Sequence, residues 1–129
     1  KLLKARKYDK IKVSSCGLLA AKGMMATENA VFATAERDYD IRRHHSRPID
    51  RMLVEQSDLI LCMEGFQKRE IERKFPFAKE KVFLLPEYSG GHGDIKDPIG
   101  GDLNLYRTVT GEIEHYARKL VLELEKRMK

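Results

Sequence analysis

The apolar positions of this 129-residue chain alternate between the spacing of buried strands and the spacing of helices, and that alternation predicts the fold. Lys1-Leu2-Leu3-Lys4-Ala5-Arg6 reads as the tail of an amphipathic helix already under way, so a preceding segment is expected before Lys1. Ile11-Lys12-Val13-Ser14-Ser15-Cys16 reads as a short strand closed by Gly17, with a loop through Gly23. Thr27 is a helix N-cap with Glu28 in the first turn, and Ala30, Val31, Ala33, Thr34 and Ala35 carry that helix towards Asp38. Residues Asp40 to Pro48 form a polar, basic connection, after which Ile49, Met52, Leu53 and Gln56 make one or two helical turns.

Asp58-Leu59-Ile60-Leu61-Cys62-Met63 is nearly all apolar, as expected of a strand covered on both faces of a parallel sheet. Gly65 opens a charged helix through Lys74, broken by Pro76. Lys81-Val82-Phe83-Leu84-Leu85 is a third buried strand, stopped by Pro86. Asp102 caps a last helix with Tyr106, Val109, Ile113, Tyr116, Leu120 and Leu124 at helical spacing. Strands alternating with helices predict an α/β fold, a sandwich around a parallel sheet, in one domain over residues 1–129.

Composition narrows the function. A hydrophobic fraction of 42% and a charged fraction of 35% describe a globular chain able to bury a core. The net charge of +5 comes from interspersed signs, so no nucleic-acid stripe is expected, although a mild positive field favours anionic ligands. No apolar run approaches a membrane span and no signal peptide is evident. Two cysteines without a partner motif exclude a disulfide scaffold and a zinc site, and a cytoplasmic setting is expected.

The candidate chemistry gathers in Asp94-Ile95-Lys96-Asp97-Pro98-Ile99-Gly100-Gly101, a glycine-rich loop before the last helix. Loops at the carboxyl ends of strands carry chemistry in open α/β sheets. Asp97, braced between Lys96 and Pro98, is placed to act as a general acid, with Asp94 tuning or orienting it. The competing reading is a surface turn, because Asp-Pro and Gly-Gly are common turn vocabulary. A second candidate is His44-His45-Ser46-Arg47, able to pair with an acid or brace a loop, or to be a plain basic connection. Cys62 ends a strand at the address of a phosphate-binding nucleophile, and Cys16 has a similar address. Six residues beyond them stand Lys68 and Lys22, point charges where a bidentate arginine is wanted, so both cysteines are expected in the core.

In order along the chain, these pieces resemble the low-molecular-weight protein tyrosine phosphatase family, which includes bacterial protein arginine phosphatases. Residues 11–17 resemble its second strand and Ser-Ala-Gly turn, with Cys16 in place of alanine. Gly23-Met24-Met25-Ala26 resembles its Gly-x-Pro-Ala helix entry, with Met25 for proline. His44 to Arg47 resembles its His-x-Ser/Ala-Arg motif, residues 58–63 its third strand, and Asp94 to Gly100 its acid loop. The resemblance implies a three-layer α/β sandwich and hydrolysis of phosphotyrosine or phosphoarginine through a cysteinyl-phosphate intermediate, without a cofactor or metal. Its substrate would be a phosphorylated protein or a small phosphomonoester, with no nucleic-acid or membrane partner. Asp97 would be the general acid, His44, Arg47 and Asp94 supporting residues, and Ile99 a pocket wall where many members have an aromatic. The family's nucleophile loop, a cysteine, five residues, then arginine and serine or threonine after a central first strand, has no counterpart in these residues and would precede Lys1. The chain alone is therefore expected to be inactive. A phosphatase-like binding module without catalysis is the alternative. A thiol-linked arsenate reductase and a flavodoxin-like cofactor protein fit less well, for want of resolving cysteines and of a flavin phosphate loop.

Overall fold

The computed structural model describes residues 1–6, 8 and 10–128. Local capping chemistry starts the principal helices where the sequence places them. The Thr27 side chain accepts the Ala30 N–H at 3.3 Å and opens α2 (Glu28–Ala35). Asp50 accepts the Leu53 N–H at 2.8 Å and opens α3 (Arg51–Gln56). Asp102 accepts the Leu105 N–H at 2.9 Å and opens α6 (Leu103–Arg127), the 25-residue helix that spans the molecule. α1 is the short Leu2–Ala5, α4 is Gly65–Lys74, and a 3₁₀ helix at Pro76–Lys81 leads into the second strand.

Among the described residues the sheet has two parallel strands, β1 (Ile60–Cys62) and β2 (Val82–Leu84), with Leu61 opposite Phe83. Helices cover both of its faces. On one, Cys62, Val82 and Leu84 bury against Val54 of α3 and Ile71 of α4. On the other, Leu61 and Met63 pack towards Leu85, Ile95 and Val109 of α6. That is the three-layer arrangement expected from all-apolar strands. α2 lies against α6, tied by Arg107 to Glu36 and Arg37 to Glu114, both at 2.9 Å, and Arg6 of the N-terminal segment pairs with Glu125.

Several expectations are corrected. Residues 11–16 are not a strand: Lys12 to Cys16 are exposed and in no regular structure, and Val13 is 78% exposed. An extended run becomes a strand only beside a partner ladder, and no described strand lies in register with it. Pro86 does not merely stop the third strand, because α5 (Leu85–Tyr88) begins there with proline in its first turn, where the missing N–H costs nothing. Ile113 is exposed although it keeps the period of α6, while Val121, off the expected set, is buried.

Candidate functional site

The acid loop is rooted at the carboxyl end of β1. The Ile95 N–H donates to the Met63 carbonyl at 2.7 Å, one residue beyond the strand, and the Ile95 side chain is 1% exposed beneath the loop. The Asp94 carboxylate accepts the Gly65 N–H at 3.1 Å, the first amide of α4. Asp97 stays exposed, and its Oδ1 accepts the Ile99 N–H at 3.0 Å, an Asx turn that fixes the carboxyl relative to its own loop. Ile99 is 72% exposed on the rim. The two glycines after it have structural tasks: Gly100 has φ +81°, and a Cβ on Gly101 would come within 2.4 Å of Leu105 and 2.9 Å of the Pro98 carbonyl. The loop closes onto α6 only because that side chain is absent.

The basic motif sits elsewhere. Ser46 fastens it down: its N–H donates to the Met24 carbonyl at 2.7 Å, and its hydroxyl accepts the Met24 N–H at 3.0 Å and donates to the Ala21 carbonyl at 2.5 Å. Gly17 docks beside Pro48, its N–H donating to the Arg47 carbonyl at 2.9 Å. These bonds turn His44, His45 and Arg47 towards Val13, Ser14 and Ser15, around an open groove of about 310 Å³. His44 and Arg47 thus share one groove, while Asp94 and Asp97 share one loop. No hydrogen bond or ion pair joins the two clusters among the described residues.

The cysteines separate. Cys62 is buried, as expected, and burial foremost pushes its thiol up to about 11, with Cys16 adding to the rise. Cys16 is exposed, which corrects its expected place in the core; it ends the unpaired 12–16 run. Partial enclosure of its sulfur raises its pKa, Arg47 opposes that rise, and Asp50 adds to it. Neither is a ready thiolate at neutral pH. Nor is the turn after Cys62 a phosphate cradle, because its amides are already used: Met63 and Glu64 N–H both donate to Gln67 Oε1 at 3.1 Å, and Gly65 N–H to Asp94. Alkylation of the native protein is expected to label Cys16 alone, with Cys62 reacting only after unfolding in urea. Prompt native labelling of Cys62, read by mass spectrometry, would contradict its burial. The neutral Cys62 thiol supports the fold below its ordinary pKa of 9.0, and that support is lost as pH rises towards 11.

Sequence inspection passed over two anchors. Lys81 donates to the carbonyls of Val54 at 2.6 Å and Ser57 at 2.7 Å, and so closes the C-terminus of α3. Ser46 is the other, and its place between a histidine and an arginine gave no hint of it. A lysine opening an apolar strand was the one available signal for the first.

An α/β fold with helices on both faces of a parallel sheet, and an aspartate loop at the carboxyl end of β1, belongs to the class of open-sheet α/β proteins that bind their ligands at strand ends. The chain belongs to the low molecular weight phosphotyrosine protein phosphatase family, whose model matches residues 1–129. It is 37% identical over 117 residues to a protein-arginine-phosphatase of Bacillus subtilis (strain 168), covering 90% of this chain and 77% of that one. It is 36% identical over 121 residues to the low molecular weight protein-tyrosine-phosphatase Wzb of Escherichia coli (strain K12), covering 88% and 77%. Among solved structures it superposes with a TM-score of 0.89 and 36% identity on a YwlE arginine phosphatase, a cysteine-to-serine mutant with a phosphorylated active-site serine, covering 97% of this chain and 84% of that one. No helix among the described residues is long and apolar enough to cross a membrane.

Proposed function

We propose that these residues are the acid-loop body of a protein phosphatase that hydrolyses phosphotyrosine or phosphoarginine, and that they do not turn over substrate by themselves. The observation that carries this reading is the anchoring of Asp97's loop at the carboxyl end of β1, through Ile95 to Met63 and Asp94 to Gly65. In the first step a cysteine thiolate attacks phosphorus and the bond to the tyrosine oxygen or arginine nitrogen breaks. Asp97, as the acid, hands its proton to that leaving atom. In the second step the Asp97 carboxylate takes a proton from water as the oxygen attacks phosphorus, the P–S bond breaks, and phosphate leaves. Asp94 holds the acid loop against α4, while His44 and Arg47 brace the segment that carries the thiolate. The solved relative with a phosphorylated serine at its active site supports a covalent phosphoryl intermediate.

The nucleophile is not Cys16 or Cys62, since both thiols are shifted up and neither is followed at the sixth position by arginine. Ile99 gives the pocket an aliphatic rim, which favours no aromatic stacking and leaves a phosphoguanidinium as acceptable as a phosphophenol. The purified 129-residue chain is expected to release no nitrophenol from p-nitrophenyl phosphate above the buffer rate. Turnover by the purified chain would overturn the assignment of a separate nucleophile, and its loss on replacing Cys16 or Cys62 with serine would place the nucleophile at that cysteine. A binding module that has lost catalysis remains the second reading, favoured by the exposed groove of His44 and Arg47. A longer product of the same coding sequence with a cysteine, five residues and an arginine after an apolar strand decides for the enzyme.

A further inference from the structure

The positive charge of this chain is concentrated in two stretches. Segments 10–27 and 41–49 hold Lys10, Lys12, Lys22, Arg42, Arg43 and Arg47, and no aspartate or glutamate. The whole chain has 25 basic and 20 acidic side chains, so the residues outside these segments carry 19 and 20. All of the net +5 therefore arises in the two stretches, which corrects the even mixing of signs expected from the sequence. The fold joins them. Gly17 donates to the Arg47 carbonyl at 2.9 Å and accepts the Ile49 N–H at 3.0 Å, Gly23 donates to the Ser46 carbonyl at 2.7 Å, and Met25 bridges His45. The six cations are exposed, and of them only Arg42 has a carboxylate partner among the described residues, Asp40 at 2.8 Å.

Apolar side chains stand among these charges. Leu19 is 97% exposed, and Met24 and Met25 are each more than half exposed. They do not sit on a loose loop, because the Ser46 bonds to Ala21, Gly23 and Met24 fix the backbone that carries them. Bare apolar side chains beside polar ones mark an interaction surface. Like charges without partners repel one another, and an occupant of opposite charge relieves that repulsion. We infer that this platform docks an acidic polypeptide segment with apolar residues between its carboxylates. The carboxylates pair with Lys22 and Arg43, and the apolar residues bury against Leu19, Met24 and Met25, whose thioethers adapt to the shape they meet. A nucleic acid or a membrane surface is negative too, but neither segment contains phenylalanine, tyrosine or tryptophan. Bases would have no ring to stack on, and a bilayer no interfacial anchor. The docked segment carries no phosphate, so the inference does not rest on the phosphatase reading.

The test measures, by fluorescence anisotropy on the full chain, binding of a peptide of about twelve residues in which glutamates flank a leucine pair. The comparisons are the same peptide with lysine for glutamate, the same with serine for leucine, a mixed-sequence single-stranded oligonucleotide, and phosphatidylserine vesicles. The acidic leucine peptide is expected to bind best, and to weaken about tenfold between about 50 mM and about 300 mM salt. The double variant Lys22→Glu, Arg43→Glu is expected to bind it about tenfold more weakly or worse. Lys79 and Lys119 are exposed and lie outside the platform. The double variant Lys79→Glu, Lys119→Glu, equal in net charge, is expected to stay within about twofold of the parent. Equal losses in the two double variants would reduce the effect to net charge and overturn the platform. Absence of binding, or equal binding of the serine peptide, overturns it as well. Tighter binding of the oligonucleotide or the vesicles, lost on reversing Lys22 and Arg43, assigns the surface to that class and overturns the inference. On the unsubstituted chain, saturating peptide is expected to slow acetylation of Lys22 and peroxide oxidation of Met24 and Met25 by about threefold or more. Unchanged labelling at these residues while the peptide is bound overturns the inference, whether or not a variant folds.

Discussion

Replacing Ile95 with alanine is expected to destabilise the protein by about 3 kcal/mol, because it empties a site at the meeting point of β1, α5 and α6. Ile95 is 1% exposed and packs in the cluster with Leu85 and Val109. Its surroundings are strand and helix, which relax little into a cavity. The same residue carries the backbone bond from the acid loop to Met63, and alanine keeps that bond, so the loss reports the side chain's packing alone. Urea unfolding should show a lower midpoint with an unchanged slope. A loss below about 1 kcal/mol would mean that the loop is not rooted through this side chain.

Replacing Lys81 with methionine is expected to cost about 2 kcal/mol, although the apolar stem is kept. The lysine ammonium is the donor for two partly buried carbonyls, Val54 and Ser57, with Glu55 at 3.5 Å beside them. Methionine leaves these acceptors at a helix end without a partner, and that orphaning dominates over the small gain from burying sulfur. Arginine is expected to recover only part of the loss, since its flat fork fits a diverging pair of carbonyls poorly. Equal stability of the methionine variant and the parent in the same urea titration would show that water serves these carbonyls as well.

These variants act on stability, and they are useful because the acid loop and the core share residues. Asp94 to Ile99 is only six residues of exposed chain, yet it is held by one buried side chain, one strand-end carbonyl and one helix-end amide. A loop fixed in this way holds the Asp97 carboxyl in place before any ligand arrives. His44 and Arg47 are held by a different device, the Ser46 bonds to Ala21 and Met24, so damage to one cluster should leave the other in place.

Local chemistry was legible in the residues themselves. Thr27, Asp50 and Asp102 accept N–H groups three residues ahead, which needs no tertiary partner, and the helices begin at those caps. The apolar runs around Ile60 and Val82 became strands because each buries side chains on both faces. The family could also be read from the order of short motifs, since each motif keeps its own turn chemistry. What the tertiary structure alone decided is pairing. Residues 11–16 have strand composition but lie exposed, because a ladder is a relation between two edges and its second edge is not among the described residues. Cys16 is exposed for the same reason. Lys81 and Ser46 act at long range in sequence, on carbonyls 27 and 25 residues away, and no local pattern encodes such a meeting. Sequence sets which groups must be satisfied; only the assembled chain determines which of them are.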